Sequence, residues 1–133
     1  MSVEGSLVID TQLNCKFDAF VPDKNAKGVH NDKVGSEYVG KMTVPSGCTN
    51  AVFLAAVNRD FKEEGGMNII GSCPSVGVTG YFLNGGYGDQ TPWIGLGSDV
   101  VDEIKMVLYD GTHITASENE NKEIFWASKG GSG

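Results

Sequence analysis

The stretch Gly71-Ser72-Cys73-Pro74-Ser75-Val76-Gly77-Val78-Thr79-Gly80-Tyr81-Phe82-Leu83-Asn84-Gly85-Gly86-Tyr87-Gly88 has six glycines in eighteen positions, with Val76, Val78, Phe82 and Leu83 between them. A flexible linker is rich in glycine and serine and has nothing to bury. Glycine interleaved with apolar residues instead describes main chain folded tightly into the protein, with positive-φ positions and bare backbone on which another group can lie. Flat or phosphate-bearing groups profit most from such backbone, because they gain from close approach and from converging N–H donors. Spacing alone leaves open the alternative of a glycine-rich packing corner in a sheet protein.

Around this stretch the chain has 133 residues, enough for one domain with a modest core. Hydrophobic residues make up 40% and charged residues 20%, the balance of an ordinary globular protein. The formal charge of −7, with no basic run, argues against a nucleic-acid partner, whose phosphates call for clustered Lys and Arg. No apolar run is long enough to span a bilayer, so no membrane partner is expected. Met1-Ser2-Val3-Glu4-Gly5 has neither a basic start nor an apolar block, and no signal peptide is read there. Cys15, Cys48 and Cys73 are odd in number and lack metal-ligand spacing. A closed disulfide framework is therefore not expected, and a Cys15–Cys48 bridge would require export.

Before the glycine stretch, Leu7-Val8-Ile9 reads as a buried strand and Phe17 to Val21 as its partner, closed by Pro22-Asp23. Lys24 to Gly35 is polar and reads as an exposed loop, and Glu37 to Val44 alternates loosely as a strand. The best helix follows Pro45-Ser46-Gly47. Thr49 or Asn50 is its N-cap, Phe53, Val57 and Phe61 form one apolar stripe beside Ala56, and Gly65-Gly66 ends it. Met67 to Ile70 then runs as a short strand into the glycines.

Beyond the glycines, Val100 to Tyr109 alternates as a strand, with Ile104, Met106 and Leu108 opposite Glu103 and Lys105. Asp110-Gly111 is a hairpin turn returning through Thr112 to Ala116. Ser117-Glu118-Asn119 caps a last short helix carrying Ile124, Phe125 and Trp126 towards the core, stopped by Gly130-Gly131. The pattern is α+β, a sheet layer with helices on one side.

Cys73-Pro74-Ser75-Val76-Gly77-Val78, then Gly80 and Gly85-Gly86-Tyr87-Gly88, resembles the flavin-contacting segment of the FAD-linked oxidases with a PCMH-type FAD-binding domain. The branch it is most similar to holds the berberine-bridge-enzyme-like proteins and the oligosaccharide oxidases. Gly95-Leu96-Gly97-Ser98-Asp99-Val100-Val101 resembles that family's Gly-Leu-Ala-Ala-Asp-Asn-Val segment. Asp110-Gly111 and the run from Glu120 through Phe125-Trp126-Ala127 to Gly130-Gly131-Ser132-Gly133 resemble its Ala-Asp-Gly … Glu-Asn-x-Asp-Leu-Phe-Trp-Ala-x-Arg-Gly-Gly ending.

The resemblance implies the second half of such a domain, with a mixed or antiparallel sheet. It also implies an FAD cofactor, a small-molecule alcohol or sugar substrate, and electrons passed to dioxygen. Cys73 would bond through sulfur to the benzenoid ring of the flavin or touch it directly; the reading without the resemblance is a small buried hydrophobe. Pro74, Ser75, Val76 and Val78 flank it, and Gly77, Gly80, Gly85, Gly86 and Gly88 would bring main-chain N–H groups to the pyrophosphate and ribityl chain, some serving only as turns. Asp99 and Val100 complete the implied cofactor contacts.

Thr79-Gly80-Tyr81 departs from the family's Gly-Gly-His, putting the Tyr81 phenol where an imidazole is usual. His30 and His113 lack flanking glycines and read as solvent-facing. The N-terminal flavin-attachment subdomain and the C-terminal substrate domain of the family have no counterpart in these residues. Residues 1–133 are expected to be a partial FAD-binding domain, aggregating, dimerising or pairing with an N-terminal half-domain. Family members are often secreted. A truncated paralogue or interaction module that keeps the fold but not FAD is the other reading.

Overall fold

The computed structural model describes residues 11, 15–26, 28–31, 36–63 and 70–131. The expected strand at 7–9, the glycine stop at 65–66 and most of the strand at 67–70 lie outside them.

The described residues form helices and antiparallel strands, as the α+β reading requires. The strands stand as three two-stranded ladders rather than one sheet layer. β1 (Val21–Asp23) pairs with β4 (Lys41–Thr43), β2 (Gly28–Asn31) with β3 (Ser36–Tyr38), and β5 (Glu103–Val107) with β6 (His113–Ser117).

Two expectations shift here. Phe17–Ala19 is a 3-10 turn, and the strand begins only at Val21. Pro22 sits within β1, which is tolerable because a two-stranded ladder leaves each strand an edge. The expected loop over 24–35 contains β2, which places His30 on a strand. Backbone pairing needs no apolar residue, so a polar hairpin leaves no trace in hydropathy.

The strand expected over 37–44 divides at Val39-Gly40 between two ladders. Gly40 allows close packing there. A Cβ on it would run into the Phe61 ring and come within 2.9 Å of the Asp23 carbonyl oxygen.

Helix α1 (Asn50–Phe61) buries the expected stripe: Phe53, Ala56, Val57 and Phe61 form the core with Phe20, Cys48 and Val78. The Phe53 ring lies between Phe20, at 6.3 Å, and Phe82, which meets it edge-on at 5.7 Å. Cys48, directly before α1, is bridged to Cys15, with their Cα atoms 4.8 Å apart. This corrects the expectation of no disulfide: two of three cysteines pair and Cys73 is left free.

The glycine stretch contains a helix that its composition hides. Gly80 lies inside α2 (Val78–Leu83). Glycine costs a helix interior roughly 0.5–1 kcal/mol relative to alanine. Val78 and Phe82, four residues apart on one face, outweigh it by packing on the α1 core. A short helix α3 (Thr91–Ile94) and a 3-10 turn (Gly97–Val100) follow.

The second hairpin forms where expected with the expected alternation, but its first strand is shorter: β5 covers Glu103–Val107, and Val100 ends the 3-10 turn instead. Ile104 and Met106 are half-buried, Glu103 and Lys105 exposed. The turn holds Gly111 at φ 86°, and the Thr112 N–H donates to Asp110 Oδ1 at 2.9 Å. Asn121, at φ 49°, starts α4 (Lys122–Ser128), and its side-chain amide donates to the Thr115 carbonyl at 2.7 Å. Phe125 is 2% exposed on the helix beside β6, whereas Trp126 is 80% exposed. Adjacent helical positions point about 100° apart, so only one of the two can face β6. Gly130 ends α4 at φ 108°, and its N–H donates to the Leu83 carbonyl of α2 at 2.6 Å.

Candidate functional site

The first turn of a helix carries N–H groups with no partner inside the helix. Thr49 occupies the N-cap of α1 in extended conformation, but its hydroxyl makes no capping bond. The loop that opens the glycine stretch does the work with its carbonyls. Asn50 N donates to the Val76 carbonyl at 2.9 Å, Ala51 N to Pro74 at 3.0 Å, and the Asn50 side-chain amide to Cys73 at 3.1 Å. In return, Val78 N donates to the Cys48 carbonyl at 2.8 Å, and Thr49 bridges Gly77 in antiparallel fashion. Three inward carbonyls leave the side chains of Cys73, Pro74, Ser75 and Val76 exposed.

Cys73 Sγ sits 3.2 Å from Ser75 Oγ. The Ser75 hydroxyl first, then the Ser75 and Val76 amides, hold its thiol below the ordinary range. Neutral hydrogen-bond donors supply this acidification.

The glycines divide into two groups. A Cβ on Gly77, Gly80 or Gly85 would meet no heavy atom within 4 Å. Gly77 and Gly80 are three residues apart at the start of α2, and so share a face. Gly86 and Gly88 are closed in: a Cβ there would strike Tyr81 or the Ile70 carbonyl. The Gly85 and Gly86 carbonyls accept from Ser98 N at 2.7 Å and Gly97 N at 2.6 Å. Gly86 and Gly88 are thus a packing corner, as one expectation allowed, and Gly85 has side-chain room but joins that corner through its carbonyl, while Gly77 and Gly80 present open main chain.

The other expected residues fall as follows. Val78 is 1% exposed and part of the core. The Tyr81 ring packs under Gly71 and Gly86, with its hydroxyl buried and unpartnered, and burial pushes the phenol pKa up. Asp99 Oδ2 accepts from Leu96 N at 2.9 Å, closing the 3-10 turn, and Val100 is half-buried beside it. Asp102 pairs with Lys41 at 2.9 Å and Glu103 with Lys105 at 3.6 Å, so Asp99, Asp102 and Glu103 are engaged separately. Asn50, read from the sequence as a cap, instead reaches across to the cysteine loop.

A shallow hollow on the second hairpin, lined by Ser46, Lys105, Met106 and His113 among others, shares no residue with the glycine stretch. No helix among the described residues is long and apolar enough to cross a membrane.

No family model matches the chain. It is 32% identical over 110 residues to an FAD-linked oxidoreductase of Aspergillus sp. (strain MF297-2), covering 81% of this chain and 16% of that protein. It is 45% identical over 60 residues to the xylooligosaccharide oxidase of Thermothelomyces thermophilus, covering 45% of this chain and 12% of the oxidase. Among solved structures, a VAO-type flavoprotein of Myceliophthora thermophila C1 superposes with a TM-score of 0.70 at 27% identity, over 86% of this chain and 19% of the flavoprotein. Its homologues are therefore FAD-linked oxidoreductases and oligosaccharide oxidases, and its fold is that of part of a VAO-type flavoprotein. The resemblance of the chain to the FAD-linked oxidases is borne out. The chain spans less than a fifth of the length of each of these three proteins.

Proposed function

We propose that this homologue of the FAD-linked oxidoreductases is an FAD-binding segment, part of a larger flavin domain, in a protein that oxidises an alcohol or sugar and passes the electrons to dioxygen. The observation that carries the reading is the cysteine loop. Its carbonyls are spent on α1, and it turns outward an acidified thiol beside the open glycines Gly77 and Gly80.

These residues fit the cofactor. Bare main chain at Gly77 and Gly80 admits a dinucleotide where a side chain would stand in the way. Cys73, Pro74, Ser75 and Val76 would lie along it, Asp99 and Val100 would shape the neighbouring turn, and Val78 would contribute only by anchoring α2. FAD, when bound, supplies the hydride and electron chemistry. Cys73 would hold it, by contact or by a C–S bond to the benzenoid ring. That C–S tie would cost the thiol its S–H and the ring one C–H, a two-electron oxidation for which dioxygen, the acceptor in this reading, would serve as oxidant with hydrogen peroxide as its product. The Cys15–Cys48 bridge supports an oxidising compartment, and hence export.

Incubation of the purified chain with FAD, thermal melting, and mass spectrometry after denaturation test the reading. FAD should raise the melting temperature. Covalent attachment should add the cofactor's mass to wild type and not to Cys73→Ser. The second reading, a module that keeps the fold without FAD, is favoured by one observation: the Tyr81 ring fills the space beneath Gly86. Unchanged melting and no flavin absorbance would select it.

A further inference from the structure

We propose that Asn50 is the positioning residue for Cys73. Its buried carboxamide pins the Cys73 carbonyl to the first turn of α1 and so keeps the Cys73 sulfur against the Ser75 hydroxyl. Asn50 is 1% exposed, and its side-chain amide donates to the Cys73 carbonyl at 3.1 Å. The Pro74 and Val76 carbonyls take main-chain donors of α1, and within the loop Val76 N donates to the Cys73 carbonyl at 3.4 Å; the Asn50 bond is what ties the cysteine itself to α1. Asn50 Oδ1 is buried without a partner. A carboxamide that leaves one of its polar atoms unsatisfied in the core is a net burden on the fold. The amide cannot turn over to relieve this, because Oδ1 would then face the Cys73 carbonyl oxygen. A side chain that stabilises so poorly is placed for what it holds.

On the outer side the groups that bond to Cys73 among the described residues are neutral, the Ser75 hydroxyl and the Ser75 and Val76 amides. Its reactivity depends on keeping Sγ at that hydroxyl, 3.2 Å away, and therefore on the placement of its own main chain. The flavin reading supplies the identity of the group that Cys73 meets; the positioning itself is independent of it.

The test is alkylation of the cofactor-free chain by iodoacetamide across pH, followed by intact mass. Cys73 is the one free thiol, so the signal is unambiguous. Asn50→Leu removes the tie and the unpaired oxygen together. Its melting temperature should hold or rise, while the midpoint of the alkylation profile moves up by about half to one pH unit and the rate at neutral pH falls roughly 3- to 10-fold. Ser75→Ala should do the same, and the double variant should add little further, because both act on one arrangement. Asn50→Ser, shorter and still polar, gives the same comparison if Asn50→Leu does not fold. An unchanged profile in a folded variant, additive effects of Asn50→Leu and Ser75→Ala, or reactivity that merely tracks the folded fraction would overturn the proposal. Since no cofactor is present, failure here leaves the FAD assignment standing, and failure to bind FAD leaves this one standing.

Discussion

At the scale of single residues, the cysteine and the glycines to which the proposed function assigns the cofactor differ in how far they could be read. Cys73 was legible because Pro74, Ser75 and Val76 follow it in a distinctive order; its exposure was not, since free cysteine is commonly buried. Its thiol is held low chiefly by the Ser75 hydroxyl, and the fold thereby favours the thiolate. The stability linked to that ionisation is present above the ordinary thiol pKa and is lost as pH falls through the lowered one. The melting difference between wild type and Cys73→Ser should accordingly widen from neutral to alkaline pH, which a pH series of thermal melts would read. Gly80 offers a sharper separation of fold from function. It lies in α2 with open space where a Cβ would be, so Gly80→Ala should stabilise the cofactor-free chain by about 0.5–1 kcal/mol. The same methyl would stand on the surface assigned to FAD, so flavin retained after desalting should fall. Gly80→Val should lose more flavin still. Full retention in both variants would remove Gly80 from the cofactor surface.

Elements with a strong period were the ones the sequence could disclose. Helix α1 and the β5–β6 hairpin were legible because Phe53, Val57 and Phe61 recur every four residues, and because Ile104 and Met106 alternate with Glu103 and Lys105. Helix α2 was not, since glycine-rich composition masks a helix formed for the burial of Val78 and Phe82. The Asn50 side-chain bond to the cysteine loop is non-local, and nothing in the order of residues announces it. The core energetics follow from α1. Phe53→Ala removes a ring packed on Phe20 and Phe82 and should cost about 3–5 kcal/mol in chemical denaturation. Gly40→Ala should cost about 1–3 kcal/mol by overpacking, because the added methyl meets the Phe61 ring and the rigid Asp23 carbonyl. A neutral result at Gly40 would mean that β4 approaches α1 less closely than described.

For the whole molecule, one covalent tie and a set of exposed aromatic and apolar side chains decide behaviour in solution. The Cys15–Cys48 bridge closes a loop with a sequence separation of 33, directly before the helix that carries the core. Chain entropy assigns such a loop about 3–4 kcal/mol, so reduction should lower the melting temperature markedly. Against that tie stands the surface. Tyr87, Trp93 and Leu96 are all exposed within ten residues of chain that follow α2, and Trp126 is exposed on α4. Apolar surface of this kind is seldom left bare on a soluble monomer. We therefore expect concentration-dependent self-association of residues 1–133 on a sizing column. Trp93→Glu should shift the equilibrium towards monomer with only a small change in melting temperature, because more than half of the Trp93 surface is exposed. A monodisperse monomer at high concentration, with the wild-type Trp93 in place, would show that the exposed aromatics attract no partner copy.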